Sequence, residues 1–147
     1  MNIRAIQKDD YDEFIDLIDK FYHSPAVLHA VPRENYDITF ERCINNDPFT
    51  ACFVYEEDML IKGYILLSFA YSNEVASMVV WVEEIFVDDV FRNNGIGQKL
   101  LEFVHNKYDT YAKRFRLEAT RDNERAIKLY ENYGYKTLDY LQMVRDK

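Results

Sequence analysis

Between Val82 and Leu101 the chain reads VEEIFVDDVFRNNGIGQKLL: a strand-like apolar run, a polar connection and the start of a helical pattern, with Gly95 and Gly97 at the second joint. Glycines at that spacing let backbone approach a ligand closely. The first turn of the helix that follows offers unpaired N–H groups and the positive end of its dipole. The chemistry this suits is the grip of a pyrophosphate, and so of a phosphorylated cofactor. Two commoner phosphate loops do not fit. A dinucleotide fingerprint needs a third glycine where the chain has Leu100, and a P-loop needs Gly-Lys-Ser/Thr where it has Gly97-Gln98-Lys99.

The stretch Arg92-Asn93-Asn94-Gly95-Ile96-Gly97 resembles the Arg/Gln-x-x-Gly-x-Gly/Ala loop of the GNAT superfamily of acyl-CoA N-acyltransferases, with every fixed position in agreement. Further on, Arg116-Leu117-Glu118-Ala119-Thr120, then Asn123, Ala126, Tyr130 and Gly134-Tyr135, follow in the order of that family's second motif. The resemblance covers residues 82 to 135. It implies acetyl-CoA as co-substrate, held by main-chain groups of Ile85, Phe86 and Val87 along the pantetheine arm. Arg92 and the amides of Asn93, Asn94, Gly95, Ile96, Gly97 and Gln98 would wrap the pyrophosphate. Asn123 and Ala126 would line the arm, and Tyr130 would sit beside the sulfur.

Acylation of an amine sets its own demands. An alkyl ammonium with a pKa of about 10.4 must lose a proton before it can attack, which calls for a base. Glu83 and Glu84 precede the pantetheine-binding stretch, and a carboxylate at the place of Glu83 is where several members of the family keep that base. Side chains alternate along a strand, so only one of the pair should face the cleft unless a bulge intervenes. Glu83 is the expected base, with Glu84 or a water chain as alternatives. The departing thiolate benefits from a nearby proton donor, and the resemblance gives that place to Tyr130. Arg125 and Lys128 could meet the nucleotide phosphates, but a solvated helix face is the first reading. Cys43 and Cys52 stand in no metal-binding or disulfide pattern, so no metal is expected.

The elements that must position these residues can be read from periodicity and punctuation. Asn2 to Ile6 alternates as a strand. Asp9-Asp10 would cap a helix with Tyr11, Phe14, Ile15, Ile18 and Phe21 on its apolar face, ending near Tyr22. The proline-bearing stretch 23–32 reads as a loop and Arg33 to Asn45 as a second helix. Thr50 to Glu56, Leu60 to Tyr71 and Ser77 to Val87 form a meander of strands. A helix from Ile96 to Lys107, a strand from Arg114 to Thr120, a helix from Glu124 to Asn132 and a final strand from Tyr135 to Arg145 complete the chain. The order β-α-α-β-β-β-α-β-α-β is that of the GNAT fold, an α/β mixed sheet splayed between its two parallel strands, and residues 1–147 are expected to form a single such domain.

Composition narrows the partners. Among 147 residues, 26 acids against 18 Lys and Arg give a net charge of -8, which disfavours nucleic acid and favours a cationic small molecule. No apolar run reaches the roughly 18 residues of a membrane span, and the N-terminus has no signal-peptide core, so a cytoplasmic location is expected. The expected reaction is transfer of an acetyl group from acetyl-CoA to a primary amine of a polyamine, amino sugar or amino-acid derivative. The alternatives are a protein lysine or N-terminal acetyltransferase, or a CoA-binding regulatory module without catalysis. Tyr22, His23, His29, Tyr36, Tyr71 and Trp81 fall near the acceptor only by analogy, and a homodimer is compatible with such a fold.

Overall fold

The computed structural model describes residues 1–147. One sheet runs in the order β1-β2-β3-β4-β5, with β1 at Asn2–Ala5, β2 at Thr50–Glu57, β3 at Leu60–Ser72, β4 at Ser77–Val87 and β5 at Ala112–Leu117. Neighbours up to β4 pair antiparallel, and β5 lies parallel to β4. A parallel neighbour requires a crossover connection, and α3 (Ile96–Lys107) supplies it. Helices α1 (Tyr11–Tyr22) and α2 (Glu34–Ile44) lie between β1 and β2 in the chain, and α4 (Glu124–Asn132) follows β5.

The period of two along the strands sorts the core onto both faces of the sheet. Cys52, Val54, Tyr64, Leu66 and Phe86 pack with Phe14 and Ile18 of α1 and Tyr36 and Phe40 of α2. Phe53, Tyr55, Ile65, Leu67, Val80 and Val82 pack with Leu100, Leu101 and Val104 of α3. A strand covered on both sides must be apolar at nearly every position, which is why the middle of β3 reads as an unbroken hydrophobic run.

Three local expectations are corrected. Asp10 does not cap α1, because its carboxylate is occupied by the Arg4 guanidinium (2.7 and 2.9 Å) and the Gln7 N–H (2.7 Å). The strand expected at Arg114 to Thr120 instead ends at Leu117, since pairing with β4 stops at Val82 opposite Leu117. The final strand from Tyr135 to Arg145 is absent, and the sheet ends at β5. Apolar residues at 138, 140, 141, 143 and 144 do not keep the period of two that a half-buried strand needs, so no single strand face is available to bury. Leu141 and Val144 are both 88% exposed.

Tyr135 is nevertheless anchored. His105 of α3 stacks near Phe115 and Tyr135 at 4.9 and 5.6 Å, and its Nε2 lies 2.8 Å from the Tyr135 hydroxyl. Burial holds the imidazole below its ordinary pKa and therefore neutral. The unfolded chain takes up that proton near pH 6.5 and the folded one resists it, so stability present above this pH falls as pH drops from there toward the folded-state value. Urea unfolding at pH 7.5 and 5.5 checks this as a difference between wild type and His105→Leu, in which carboxylate titration cancels. The variant is expected to lose less stability on acidification than the wild type does. Equal losses would contradict a buried neutral His105.

Candidate active site

The site originates in a bulge. Leu66 of β3 pairs with Glu84 and the next residue, Leu67, pairs with Val82, so Glu83 is an extra residue that β3 leaves unpaired. A bulge bends and twists its strand, and here β4 turns away from β5 immediately beyond the last pair they share. Past that point Ile85, Phe86 and Val87 remain registered with Ile65, Tyr64 and Gly63 of β3. Their opposite edge faces no strand. Gly63 keeps the two strands close, since a Cβ there would lie 2.7 Å from the Phe86 carbonyl oxygen. The gap opens into a cavity of about 1620 Å³ bounded by β4, the 91–98 loop, the end of β5, α4 and the loop after α1.

At one end lies the turn into α3. Asn93 and Gly95 both adopt left-handed backbone, with φ of 69° and 72°. No amide from Asn93 to Gln98 has an acceptor within the protein, and the first turn of α3 carries no acidic side chain to compete for its dipole. The loop itself is firmly held. Asp88 accepts from the Val90 N–H at 3.2 Å, Asn94 donates to the Phe91 carbonyl at 3.0 Å, and Arg92 donates from Nε to the Val87 carbonyl at 3.3 Å. Arg125 of α4 bonds the Asn93 side chain across the mouth of the cleft, which gives it a partner that a solvated helix face did not predict.

Asn123 caps α4 by accepting from the Ala126 N–H at 3.4 Å, so both residues are fixed at the cleft wall. Next to them Thr120 Oγ1 is buried without any hydrogen-bond partner. An orphaned buried hydroxyl is costly, and one beside free amides and an open strand edge fits a polar ligand such as the phosphorylated, amide-bearing cofactor that the sequence implies.

The bulge interrupts the alternation of β4, and both glutamates line the cleft at different depths. Glu83 is exposed, lines the cleft and accepts from Ser68 Oγ at 2.6 Å. Glu84 is buried, with one oxygen accepting from Tyr22 at 2.6 Å and the other from Tyr64 at 2.8 Å. Burial raises its pKa above the ordinary carboxylate value, although both tyrosine bonds oppose that shift. Burial next to this carboxylate pushes the Tyr22 hydroxyl well above its ordinary value, which keeps it protonated. Across the cleft Tyr130 is also buried enough to push its pKa up to about 12, and its hydroxyl has no protein partner.

The residues expected near the acceptor divide. Tyr22 and His29 line the cleft. Tyr36 lies beneath Tyr22, stacked at 5.7 Å, and His23 turns back to the Asp19 carbonyl at 2.7 Å. Tyr71 is exposed away from the cavity, and Trp81 carries the Arg116 guanidinium 4.3 Å above its ring. Sequence reasoning missed Tyr64 and Thr120. Tyr64 reads as one more aromatic in an apolar strand, and no pattern marks it as a carboxylate's partner.

The sequence profile of the acetyltransferase (GNAT) family matches residues 11–135. The chain is 29% identical to an uncharacterized N-acetyltransferase of Methanocaldococcus jannaschii, over 97% of this chain and 66% of that protein. It is 28% identical to the spermine/spermidine N(1)-acetyltransferase of Bacillus subtilis, over 55% of each. The chain therefore spans somewhat over half to just under two thirds of the lengths of these relatives. Its fold superposes on the aminoglycoside N-acetyltransferase AAC(6')-Iy, solved with a bisubstrate analogue, with a TM-score of 0.81 at 20% identity, covering 99% of this chain and 97% of that one.

Gly97 offers a clean test of the cradle. A Cβ there meets only Leu129 Cδ2, at 3.9 Å, so valine fits the protein while its methyls enter the cleft. Valine and glycine differ little in helix propensity, so stability should be nearly unchanged. Calorimetry is expected to show coenzyme A binding at least tenfold weaker in Gly97→Val. Wild-type affinity in a folded variant would place the ligand elsewhere.

Proposed function

Since the chain belongs to the acetyltransferase (GNAT) family, we propose that it transfers an acetyl group from acetyl-CoA to the primary amine of a small cationic molecule, directly, in a ternary complex. One observation carries this reading: the gap between β4 and β5 has unpaired amides at one end and the Glu83–Glu84 pair further along the same strand edge. The amides of 93–98 would bind the pyrophosphate, with Arg92 bracing the loop. The open edge of Ile85 to Val87 would pair with the pantetheine arm, and Thr120, Asn123 and Ala126 would flank it. Hydrogen bonds to charged acceptors contribute about 1.5–3 kcal/mol each, enough together for micromolar affinity after the costs of association.

The thioester supplies an activated acetyl carbonyl. Glu83, at the bulge, takes the ammonium proton directly or through water, and the freed amine nitrogen then attacks that carbonyl; the remaining N–H proton of the tetrahedral adduct passes to solvent as the C–S bond breaks. Buried Glu84 adds negative charge behind it, positioned by Tyr22 and Tyr64. When the C–S bond breaks, Tyr130 donates a hydrogen bond to the departing sulfur. Full proton transfer from a phenol of pKa about 12 to a thiolate of about 8.5 is uphill by about 5 kcal/mol, so Tyr130 stabilises the thiolate and leaves its final protonation to solvent.

Acetyl-CoA as co-substrate and two cysteines left as free thiols, Cys43 and Cys52, support a reducing compartment, and we place the protein in the cytoplasm, where a homodimer is compatible with the fold.

Two substitutions test the roles. Glu83→Gln is expected to lower kcat/KM at pH 7 by about 10²-fold or more, with the deficit shrinking as pH rises toward the amine's own pKa. A wild-type rate would remove Glu83 from the reaction. Tyr130→Phe is expected to lower kcat by roughly 10- to 100-fold, the worth of one hydrogen bond to a charged atom, with coenzyme A affinity unchanged. An unchanged kcat would return Tyr130 to the packing alone.

A further inference from the structure

We infer that the acceptor carries a single positive charge on an otherwise apolar body, a narrowing that rests on the proposed acetyl transfer. The charges lining the cleft are segregated. Its cations, Arg92, Arg121, Arg125 and Lys128, belong to the cradle loop, the turn after β5 and α4, where phosphates would lie. Glu118 and Asp122 belong to the same turn. On the acceptor side the only carboxylates lining the cleft are Glu83 and Glu84, adjacent on one strand and therefore matched to one ammonium.

The wall opposite them is the connection from His23 to Arg33, whose sequence HSPAVLHAVPR contains no acid. Ala26, Val27, Leu28 and Val31 of this connection line the cleft, with Ser24 and His29 its only polar side chains there, neither of them an acid, and Leu28 is left 80% exposed at its mouth. The acids on the neighbouring part of α1 do not line the cleft: Asp16, paired with Lys20 at 3.0 Å, and Asp19 belong to a separate groove beside Arg33. A second ammonium held away from the reacting one would leave water for an apolar wall without a counter-ion, which is unfavourable. An acceptor bearing its own carboxylate fares no better. Arg33 lines a separate groove with Asp12, Asp16 and Asp19, so such a carboxylate would find no permanent cation on this side, only the His29 imidazole, and would be repelled by Glu83 and Glu84. An apolar body, by contrast, gains by covering Val27, Leu28 and Val31.

Thiol release from acetyl-CoA across a panel of amines tests this. Isopentylamine and benzylamine are expected to exceed spermidine, lysine, neamine and an alanine-first peptide by tenfold or more in kcat/KM. Leu28→Glu, an exposed substitution that should fold normally, is expected to shift the ratio at least tenfold toward spermidine without changing coenzyme A affinity. A preference for spermidine, lysine, neamine or the peptide in the wild type would overturn the inference while leaving acetyl transfer intact, as would an unaltered ratio in Leu28→Glu. Coenzyme A binding without acetylation of any amine would instead overturn the proposed function itself, and the inference with it.

Discussion

At Glu83 the backbone of β4 takes one residue more than β3 can pair, and from there β4 and β5 part. Everything at the site depends on that departure. Were the ladder to continue, β5 would consume the edge of Ile85 to Val87 and close the gap. The bulge also interrupts the alternation that would send two adjacent glutamates to opposite sides, so both line the cleft, Glu83 at its surface and Glu84 buried between Tyr22 and Tyr64. A single extra residue thus accompanies the opening of the cleft and sets the two carboxylates at its side.

The site is also a place where folding interactions are forgone. Six successive amides are left without acceptors, a threonine hydroxyl is buried alone, two loop residues hold left-handed backbone, and a carboxylate is kept out of water. The buried hydroxyl, the buried carboxylate and the left-handed backbone of Asn93 are each unfavourable in the free protein. The surrounding structure bears this through a sheet buried on both faces and a loop pinned by Asp88, Arg92 and Asn94. Such preorganisation means that a bound anion need not first order the turn, so more of the contact energy remains as affinity.

Much of this was legible in the sequence, for identifiable reasons. Gly95 before an apolar helical pattern reports the left-handed turn it makes at φ 72°, whereas Gly97 lies in ordinary helical backbone with room for a Cβ, so its glycine answers to the open cleft and not to a strained φ. The mixed sheet followed from strong periodicity and from the helical crossover before β5. Where the sequence misled, a nonlocal competitor decided the outcome. Arg4 took the Asp10 carboxylate that should have capped α1. The tail after Tyr135 has strand-forming residues but no consistent face, and it stays outside the sheet. The bulge could be raised only as a condition, because a register shift belongs to a pair of strands and leaves little trace in either one. Arg125 and Tyr64 escaped for the same reason: the Asn93 side chain and the Glu84 carboxylate that they meet lie far away along the chain.

The claim on which the account turns is that free main-chain amides at the start of α3, beside a parted sheet, form the seat of a diphosphate-bearing ligand. Amide-resolved NMR of the protein titrated with coenzyme A measures this at each residue. The account predicts large shifts and slowed hydrogen exchange at Asn93 to Gln98 and along Ile85 to Val87, saturating together. Binding that leaves those amides unmoved, with its largest effects elsewhere on the surface, would contradict it.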